Sequence, residues 1–502
     1  MIRTLVVLVL WLFGGGTALA EPLVRVVIDP RIEAQGPYSG RLVVSLLSAD
    51  SPLHRGNAAI NAPFFRHPQP MFGTDIVGLE PGEAVDLNDD WTWFPEPPSE
   101  LNPGYYRAAA WLDRSREDSR WRREAGNLYS DEFTLRVFED GRIETLTIVL
   151  ANVVDPEPME PQEGVTLIEA GGLRAAVVEP IGYDPNERYA TIYQVPGFGG
   201  DHRSAVWDAR SRTRLRMDDP RRQLLSRCFV VHLDPEGPNG HHLFADSANN
   251  GPMGAALVDE LIPAIERAYP AMRRDARDRI VTGHSSGGWS SLWLGLTYPE
   301  TFGAVWSSAP DPVDFRAFQR GNFYEDDNAY RRDDAPVISY RSEGMDLMSV
   351  RQENRMEEVM GPGNTSAQQW DSWWAVFCPM GEDGEPMAPF DAETGAIDRE
   401  VVRAMAPYDI GAMVRAQPGK YLPLFRERVR LIVGDADNYF LNEAVALLKA
   451  DLARLSEERG EPDAGDGITI VPGADHGSIF RSDARSAWPR EMLQHLGRRR
   501  DG

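Results

Sequence analysis

A serine between glycines is the strongest chemical signal in this sequence. Ser285 is the central residue of segment 283–287, which reads Gly-His-Ser-Ser-Gly. An apolar, strand-like run (279–282) precedes the segment, and a helical pattern of apolar residues follows it. G-x-S-x-G between a strand and a helix predicts a nucleophile elbow, in which a strained turn holds the hydroxyl clear of the sheet. We therefore predict that Ser285 attacks an electrophilic carbonyl carbon.

A serine hydroxyl is a weak nucleophile at neutral pH, so Ser285 needs a base. The chain contains nine histidines. His476 is the preferred base because it lies in a loop, Pro-Gly-Ala-Asp-His-Gly, that follows the strand-like run 468–471. Functional groups of open α/β sheets collect at the carboxyl ends of the strands. His284 is adjacent to Ser285, so we expect its side chain to project away from the hydroxyl and to be structural.

The base in turn needs a carboxylate that orients it and stabilises its charged form. Asp435 and Asp437 both follow the strand-like run 429–433. Asp437 is preferred because Gly-x-x-Asp leaves room for the loop to turn toward the histidine. The chain order Ser, Asp, His is also the order expected for hydrolases that carry such a nucleophile elbow. Asp435 and Asp311 remain alternatives, and each aspartate could instead cap a following helix.

An oxyanion hole requires backbone N–H groups that face the reacting carbonyl. The amide of Ser286 is one predicted donor. The second is Phe198 or Gly199, in the Pro-Gly-Phe-Gly-Gly loop that follows the strand-like run 191–195. An ordinary glycine turn is the alternative interpretation of that loop.

One group of histidines and aspartates lies near the middle of the chain. His241 and His242, with Asp234 and Asp246 nearby, contain the residue types of a metal site but not the paired spacing of a known one. We therefore expect no metal and no organic cofactor.

The elements that must position these residues change character along the chain. Residues 21–154 contain short apolar runs separated by Pro, Gly, Asn and Asp, as in a β-sandwich-like domain. Within it, segments 132–138 and 144–150 predict a hairpin around Glu-Asp-Gly. A Pro-rich linker (155–165) follows. From 166 to 502, strand-like runs alternate with helical segments, which predicts an α/β domain with a mostly parallel sheet.

One interval breaks this alternation. Residues from about 316 to 424 are polar and irregular, and their aromatic residues cluster at Trp370, Trp373, Trp374 and Phe377. We interpret the interval as an irregular insertion between core strands. It forms either a cap over the site or a surface excursion with a small core of its own.

Composition limits the class of protein. The 502 residues are 42% hydrophobic and 26% charged, as in soluble globular proteins, and exceed the size of one ordinary domain. Residues 1–20 combine Arg3, a short apolar run and Ala-Leu-Ala, the pattern of a signal peptide, and the run is too short to span a bilayer. We expect an exported protein, periplasmic or secreted, without stable membrane insertion.

The net charge of −25 disfavours nucleic acid and anionic lipid as partners.

Cys228 and Cys378 are the only cysteines, which excludes a CxxC site. They form either one disulfide bond or two buried thiols, and the sequence leaves the oligomeric state open.

Several segments together resemble a family of serine esterases. The segments are 244–252 (Phe-Ala-Asp-Ser-Ala-Asn-Asn-Gly-Pro), 260–263 (Glu-Leu-Ile-Pro), 283–288 and 298–304 (Tyr-Pro-Glu-Thr-Phe-Gly-Ala). The family includes feruloyl esterases, S-formylglutathione hydrolases, enterochelin esterases and mycolyltransferases. The resemblance covers about 170–495, with 316–424 atypical. It implies the α/β-hydrolase fold, with the family's Ser-Asp-His order matched at Ser285, Asp437 and His476.

These observations predict an exported serine esterase that hydrolyses a carboxylic ester of a small molecule or carbohydrate through an acyl-enzyme. One alternative is an acyltransferase with the same triad, as in the mycolyltransferases. Another is a non-catalytic binding protein on a hydrolase scaffold. The sequence does not determine the acyl group or the alcohol.

Overall fold

The computed structural model describes residues 24–32, 36–53, 67–155 and 158–497. The predicted signal peptide, 1–20, lies outside the described residues, as do two positions of the predicted linker. Among the helices that the structure describes, none combines the length and the apolar character needed to cross a bilayer.

The amino-terminal part forms one nine-stranded sheet. Its strands are β1 Val24–Ile28, β2 Tyr38–Ser48, β3 Met71–Leu79, β4 Ala84–Asp86, β5 Thr92–Phe94, β6 Gly104–Asp113, β7 Leu128–Ser130, β8 Phe133–Val137 and β9 Leu146–Val153. The order is β4-β1-β9-β7-β6-β2-β3-β5, with β8 paired to β6. Alternating residues such as Val24, Val26, Leu42 and Val44 share one buried core. The sheet is therefore β-sandwich-like, as expected.

The predicted hairpin between segments 132–138 and 144–150 is correct at its turn and wrong beyond it. The amide of Phe138 donates to the carbonyl of Arg142 at 2.8 Å, and Val137 forms an antiparallel bridge with Ile143. A turn is present, in which the amide of Gly141 donates to the carbonyl of Phe138 at 2.9 Å. Beyond it the two strands separate: β8 pairs with β6, and β9 pairs with β1 and β7. Alternation predicts that a segment is a half-buried strand, but it does not specify the partner strand.

The carboxyl-terminal part contains the remaining strands. They are β10 Val165–Ala170, β11 Leu173–Val178, β12 Ala190–Val195, β13 Cys228–Leu233, β14 Glu236–Gly237, β15 Gly240–His241, β16 Asp246–Ser247, β17 Gly251–Pro252, β18 Arg279–His284, β19 Ala304–Ser308, β20 Arg331–Arg332, β21 Ala335–Pro336, β22 Ile338–Ser342, β23 Met345–Ser349, β24 Val429–Gly434 and β25 Ile468–Val471. Eight form the main sheet, in the order β10-β11-β13-β12-β18-β19-β24-β25. From β13 to β25 every neighbouring pair is parallel, and the two antiparallel pairs are β10 with β11 and β11 with β13. The predicted mostly parallel sheet is confirmed.

Helices cover both faces of this sheet. They are α1 Ser204–Arg212, α2 Pro220–Leu225, α3 Met253–Ala256, α4 Ile262–Ala268, α5 Ser286–Thr297, α6 Val350–Met360, α7 Gln369–Phe377, α8 Arg399–Met405, α9 Ile410–Ala416, α10 Pro418–Arg428, α11 Leu441–Glu458 and α12 Asp483–Gly497. Adjacent residues of β18 enter opposite cores, Val281 with Trp289 and Leu292 of α5, and Ile280 with Trp488 of α12. The fold is therefore an α/β-hydrolase arrangement preceded by a β-rich part.

The interval 316–424 is an insertion between core strands, as predicted, but it is not irregular. The interval contains α6 to α9, two strand pairs and the start of α10. α7 explains the error, because Trp370, Trp373, Trp374 and Phe377 are all 2% exposed or less. A short helix buried on every side has no polar face, so its sequence lacks the amphipathic period that identifies helices.

Helix α6 joins the two parts of the molecule. Val43, Met71 and Trp111 of the amino-terminal sheet form one buried cluster with Met356 and Val359 of α6. The guanidinium of Arg41 donates to the backbone carbonyls of Val359 at 2.9 Å and Glu358 at 3.0 Å. The amino-terminal sheet is thus packed against the α/β part.

The two cysteines are separate free thiols. Cys228 lies in β13 and Cys378 directly follows α7, and both are buried. Burial raises the pKa of the Cys228 thiol to about 12. The sequence left open a disulfide bond or two buried thiols, and the structure contains the two thiols.

Candidate active site

Ser285 lies at the turn between β18 and α5. Its backbone has φ 60° and ψ −126°, a conformation that residues with a side chain rarely adopt. Glycines make this turn possible. A Cβ at Gly283 would lie 2.0 Å from the carbonyl oxygen of Gly287, and one at Gly287 would lie 2.2 Å from that of Val195. The backbone geometry is that of a nucleophile elbow.

His476 is held from several sides. Its Nδ1 lies 2.8 Å from Oδ2 of Asp437, and its backbone amide donates to Oδ1 of Asn438 at 3.1 Å. The ring packs edge-on against Tyr439, with centroids 5.0 Å apart. It also packs against the tilted ring of His284, with centroids 4.4 Å apart. These contacts set the orientation of the imidazole.

Asp437 is fully buried at the carboxyl end of β24. One carboxylate oxygen contacts His476, and the other accepts the amides of Tyr439 at 2.9 Å and Leu441 at 3.4 Å. Because this carboxylate is fixed by backbone donors, it can orient the imidazole without moving.

The two alternative aspartates are engaged elsewhere. Oδ1 of Asp435 accepts the amide of Gly473 at 2.7 Å, which closes the loop before His476. Asp311 is buried and accepts Nε1 of Trp373 at 2.7 Å. Burial raises the pKa of Asp311 to about 6, while hydrogen bonds from Ser286 and Trp373 oppose the rise. Asp437 is the only one of the three for which the described residues include a hydrogen bond to His476.

The protonation of His476 depends on two opposing effects. Burial lowers its pKa, whereas the charge and hydrogen bond of Asp437 raise it, and the net pKa lies above the ordinary 6.5. Burial lowers the pKa of His284 well below that value. The imidazole of His284 is therefore neutral and does not compete with His476 for protons.

A cavity of about 660 Å³ brings these groups together. Ser285, His476 and Asp311 line it, together with Gly197 and Phe198. Within the described chain Ser285 Oγ makes no hydrogen bond, so the contact with His476 is not closed in this state. Catalytic hydrogen bonds are often long without substrate and tighten when it binds.

The predicted oxyanion loop lies beside the elbow. A Cβ at Gly197 would lie 3.3 Å from Cβ of Ser285. Ser286 is the first residue of α5, so its amide has no acceptor within the helix. Phe198 lines the cavity, whereas the carbonyl of Gly199 accepts a hydrogen bond from Arg123 at 2.9 Å. Among the described residues the amides of Ser286, Phe198 and Gly199 have no hydrogen-bond acceptor, so the choice between Phe198 and Gly199 as second donor stays open.

Two contributions to the site were missed from the sequence. His241 is fully buried, and its Nε2 lies 3.0 Å from the carbonyl oxygen of Pro196, where it steadies the start of the oxyanion loop. Residues 119–123, between β6 and β7, form part of the cavity wall. An arginine-rich run is visible there in the sequence, but nothing in it indicates proximity to Ser285. His284 also proves to be a packing partner of His476, beyond the structural role expected for it.

The histidine and aspartate group considered for a metal is divided among other contacts. Burial lowers the pKa of His241 to about 4 and of His242 to about 3. Asp234 contacts His202 Nδ1 at 2.8 Å, and Asp246 accepts the amides of Gly254 and Ala255. In the described ranges no three His, Cys, Asp or Glu side chains are grouped to hold a metal ion.

Comparison with known proteins gives one family match. Residues 172–376 match the family described as "Putative esterase". The expected family resemblance is thereby confirmed for this segment, which contains Ser285 and the oxyanion loop but ends before Asp437 and His476. A comparison with curated proteins gives no match.

Among solved structures, an S-formylglutathione hydrolase from Agrobacterium tumefaciens is 14% identical, with a TM-score of 0.34, over 65% of this chain and 90% of that one. Est1E from Butyrivibrio proteoclasticus is 15% identical, with a TM-score of 0.35, over 67% and 100%. The fluorophosphonate-binding serine hydrolase F of Staphylococcus aureus is 12% identical, with a TM-score of 0.34, over 64% and 92%. Likenesses this low carry no argument about activity.

Proposed function

We propose that this chain, whose residues 172–376 match an esterase family, hydrolyses a carboxylic ester through Ser285, His476 and Asp437. The family match supports ester hydrolysis in general. The observation that carries the specific proposal is the shared cavity: Ser285, on a strained elbow, and His476, hydrogen-bonded to buried Asp437, line the same space.

The first half of the proposed reaction forms an acyl-enzyme. His476 Nε2 accepts the hydroxyl proton of Ser285 while the oxygen attacks the carbonyl carbon of the ester. The resulting oxyanion receives hydrogen bonds from the amide of Ser286 and from that of Phe198 or Gly199. His476 then donates the proton to the leaving alkoxide, and the alcohol departs.

The second half uses the same groups. His476 accepts a proton from a water molecule that attacks the acyl carbon, and the carboxylic acid is released as Ser285 regains its proton. Throughout, Asp437 keeps Nδ1 protonated and stabilises the imidazolium, in agreement with the raised pKa of His476. The reaction as proposed draws only on groups of this chain and water.

Ser285→Ala tests the proposal. We expect kcat/KM for p-nitrophenyl acetate to fall by about 10⁴-fold or more, because the other hydroxyl of the elbow, that of Ser286, is buried and bonded to Gln369. Labelling by a fluorophosphonate probe should be lost as well. Both are measured on protein whose thermal unfolding matches that of the wild type.

The control is Ser486→Ala, which removes an exposed hydroxyl from α12. This variant should keep full activity and labelling. Wild-type activity in Ser285→Ala, or labelling that persists there, would refute the assignment.

The substrate and the location belong to the same proposal. We take the substrate to be a small-molecule or carbohydrate ester, as the family match implies. Export to the periplasm or the medium, expected from residues 1–20, stays a prediction.

A further inference from the structure

The cavity wall opposite the α/β elements comes from the amino-terminal sheet. Residues 119–123, in the connection between β6 and β7, contribute Arg120, Arg122 and Arg123 to the lining. Three carboxyl groups, those of Asp311, Glu353 and Glu357, line the same cavity. The positions of the three arginines require a local reason.

The position of Arg123 is explained by its own contacts. Its guanidinium donates to the carbonyl of Gly199 at 2.9 Å and lies 3.3 Å from Asp201 and 3.5 Å from Asp118. These partners satisfy its charge and hold the amino-terminal segment against the oxyanion loop. Arg123 is therefore a structural link.

Arg120 differs from Arg123. Arg120 is exposed to solvent, and within the described chain its guanidinium has neither an ion pair nor a hydrogen bond. It lies flat against the backbone of the oxyanion loop: a Cβ at Gly199 would lie 2.8 Å from Nη2 and 3.0 Å from Nε of Arg120. A solvent-exposed cation thus lies beside Gly199, two residues from Gly197, which borders Ser285.

The backbone at Arg120 is fixed by its neighbours in the chain. The hydroxyl of Ser119 donates to Oε2 of Glu236 at 2.6 Å, and its carbonyl accepts Nε2 of Gln368 at 2.9 Å. The ring of Trp121 stacks on Trp111 at 5.4 Å with an angle of 8° between the planes. Such anchoring lowers the entropy that binding would cost.

The nearby carboxyl groups Glu236, Asp118 and Asp201 attract Arg120 from a distance but form no ion pair with it. Asp118 and Asp201 are paired with Arg123, and Glu236 is bonded to Ser119. Burial raises the pKa of Glu353 to about 7 and that of Glu357 well above its ordinary value, which reduces the negative charge on the cavity wall near neutral pH. The guanidinium of Arg120 is therefore available to pair with an anionic group of a ligand.

We propose that Arg120 forms an anion subsite beside Ser285 and that the preferred substrates are esters carrying a carboxylate. This inference rests on the proposed function. The two residues from Gly197 to Gly199 span at most about 7 Å, so one small substrate molecule can reach both Ser285 and Arg120. An arginine binds a carboxylate through two parallel hydrogen bonds, which gives orientation as well as affinity.

The test compares two p-nitrophenyl esters of equal chain length, the glutarate monoester, which carries a carboxylate, and the neutral pentanoate. For the wild type we expect the ratio of kcat/KM, glutarate over pentanoate, to exceed one. In Arg120→Gln this ratio should fall by about 10- to 100-fold, as for the loss of a hydrogen bond to a charged group. Arg120→Lys should restore part of it.

Arg116→Gln is the matched control, since Arg116 lies in the same connection but pairs with Glu385 outside the cavity lining. Its ratio should equal that of the wild type. An unchanged ratio in Arg120→Gln, or a wild type that favours pentanoate, overturns the subsite while ester hydrolysis stands. If the wild type cleaves neither ester and takes no fluorophosphonate label, the proposed function fails, and the subsite fails with it.

Discussion

At the scale of single residues, the feature that most affects chemistry is the surroundings of His476. Asp437 contacts one side of the imidazole, and the neutral ring of His284 packs on another. The carboxylate raises the pKa of His476 against the opposing effect of burial. The proposed base is therefore more basic than an ordinary histidine.

Asp437→Asn should lower activity and shift its pH dependence. A base works when neutral, so activity should rise with pH through the pKa of His476, which lies above 6.5 in the wild type. Without the carboxylate that pKa falls, and the acidic limb of the profile moves to lower pH. We also expect kcat to drop by roughly 10³- to 10⁴-fold.

The measurement is the pH profile of kcat/KM for p-nitrophenyl acetate. Asp435→Asn serves as the control, because that carboxylate contacts Gly473 rather than the histidine. If Asp435→Asn shifted the profile and Asp437→Asn did not, the assignment of the orienting acid would be wrong.

At the scale of elements, α6 and α7 contain an unusual group of buried carboxyls. Glu353 and Glu357 of α6 and Asp371 of α7 are each 3% exposed or less. Glu357 accepts the amides of Trp370 and Asp371 at the start of α7 and so joins the two helices. Burial raises the pKa of Glu357 well above its ordinary 4.5.

Glu357→Gln should stabilise the protein more at high pH than at low pH. A carboxyl whose pKa is higher in the folded state binds its proton more tightly there. Its contribution to stability is complete below 4.5 and is lost as the pH rises toward the folded pKa. An amide can still accept the helix amides but carries no charge to bury. We therefore expect the difference in Tm, variant minus wild type, to be more positive at pH 8 than at pH 5.

Calorimetry at the two pH values measures this difference. Glu382→Gln, at an exposed position after α7, should show no such dependence on pH. A difference in Tm for Glu357→Gln that shrinks as the pH rises would contradict the expectation.

At the scale of the whole molecule, the amino-terminal sheet completes the cavity. Helix α6 packs on β3 so closely that a Cβ at Gly73 would lie 2.0 Å from the carbonyl oxygen of Val359. Arg41 reinforces the same contact through two backbone carbonyls. The position of Arg120 beside the oxyanion loop depends on this packing.

Arg41→Ala should destabilise the protein by about 3 kcal/mol, because it removes hydrogen bonds from a charged donor and leaves buried carbonyls unpaired. Urea unfolding measures the change. Arg142→Ala removes an exposed pair with Asp140 and should cost less than about 1 kcal/mol. Equal effects of the two substitutions would mean that the Arg41 contact does not hold the parts together.

Prediction from the sequence was most successful where neighbouring residues carry the constraint. The elbow at Ser285 depends on Gly283 and Gly287, and the strands that precede Asp437 and His476 are evident from their apolar runs. The roles of these side chains stay predictions, but their convergence on one cavity follows from parallel strands that end at the same edge of a sheet. The partner of β8 and helix α7 could not be predicted, because pairing and all-round burial leave no local pattern.

By itself, then, the sequence determined the mostly parallel sheet, the strained turn at Ser285 and the aspartates and histidine able to serve it. Only the tertiary structure decided that Asp437 rather than Asp435 contacts His476, and that Arg120 stands beside the oxyanion loop. The reason is physical. Backbone conformation is set by a few adjacent residues, whereas contacts between distant segments depend on how whole surfaces pack.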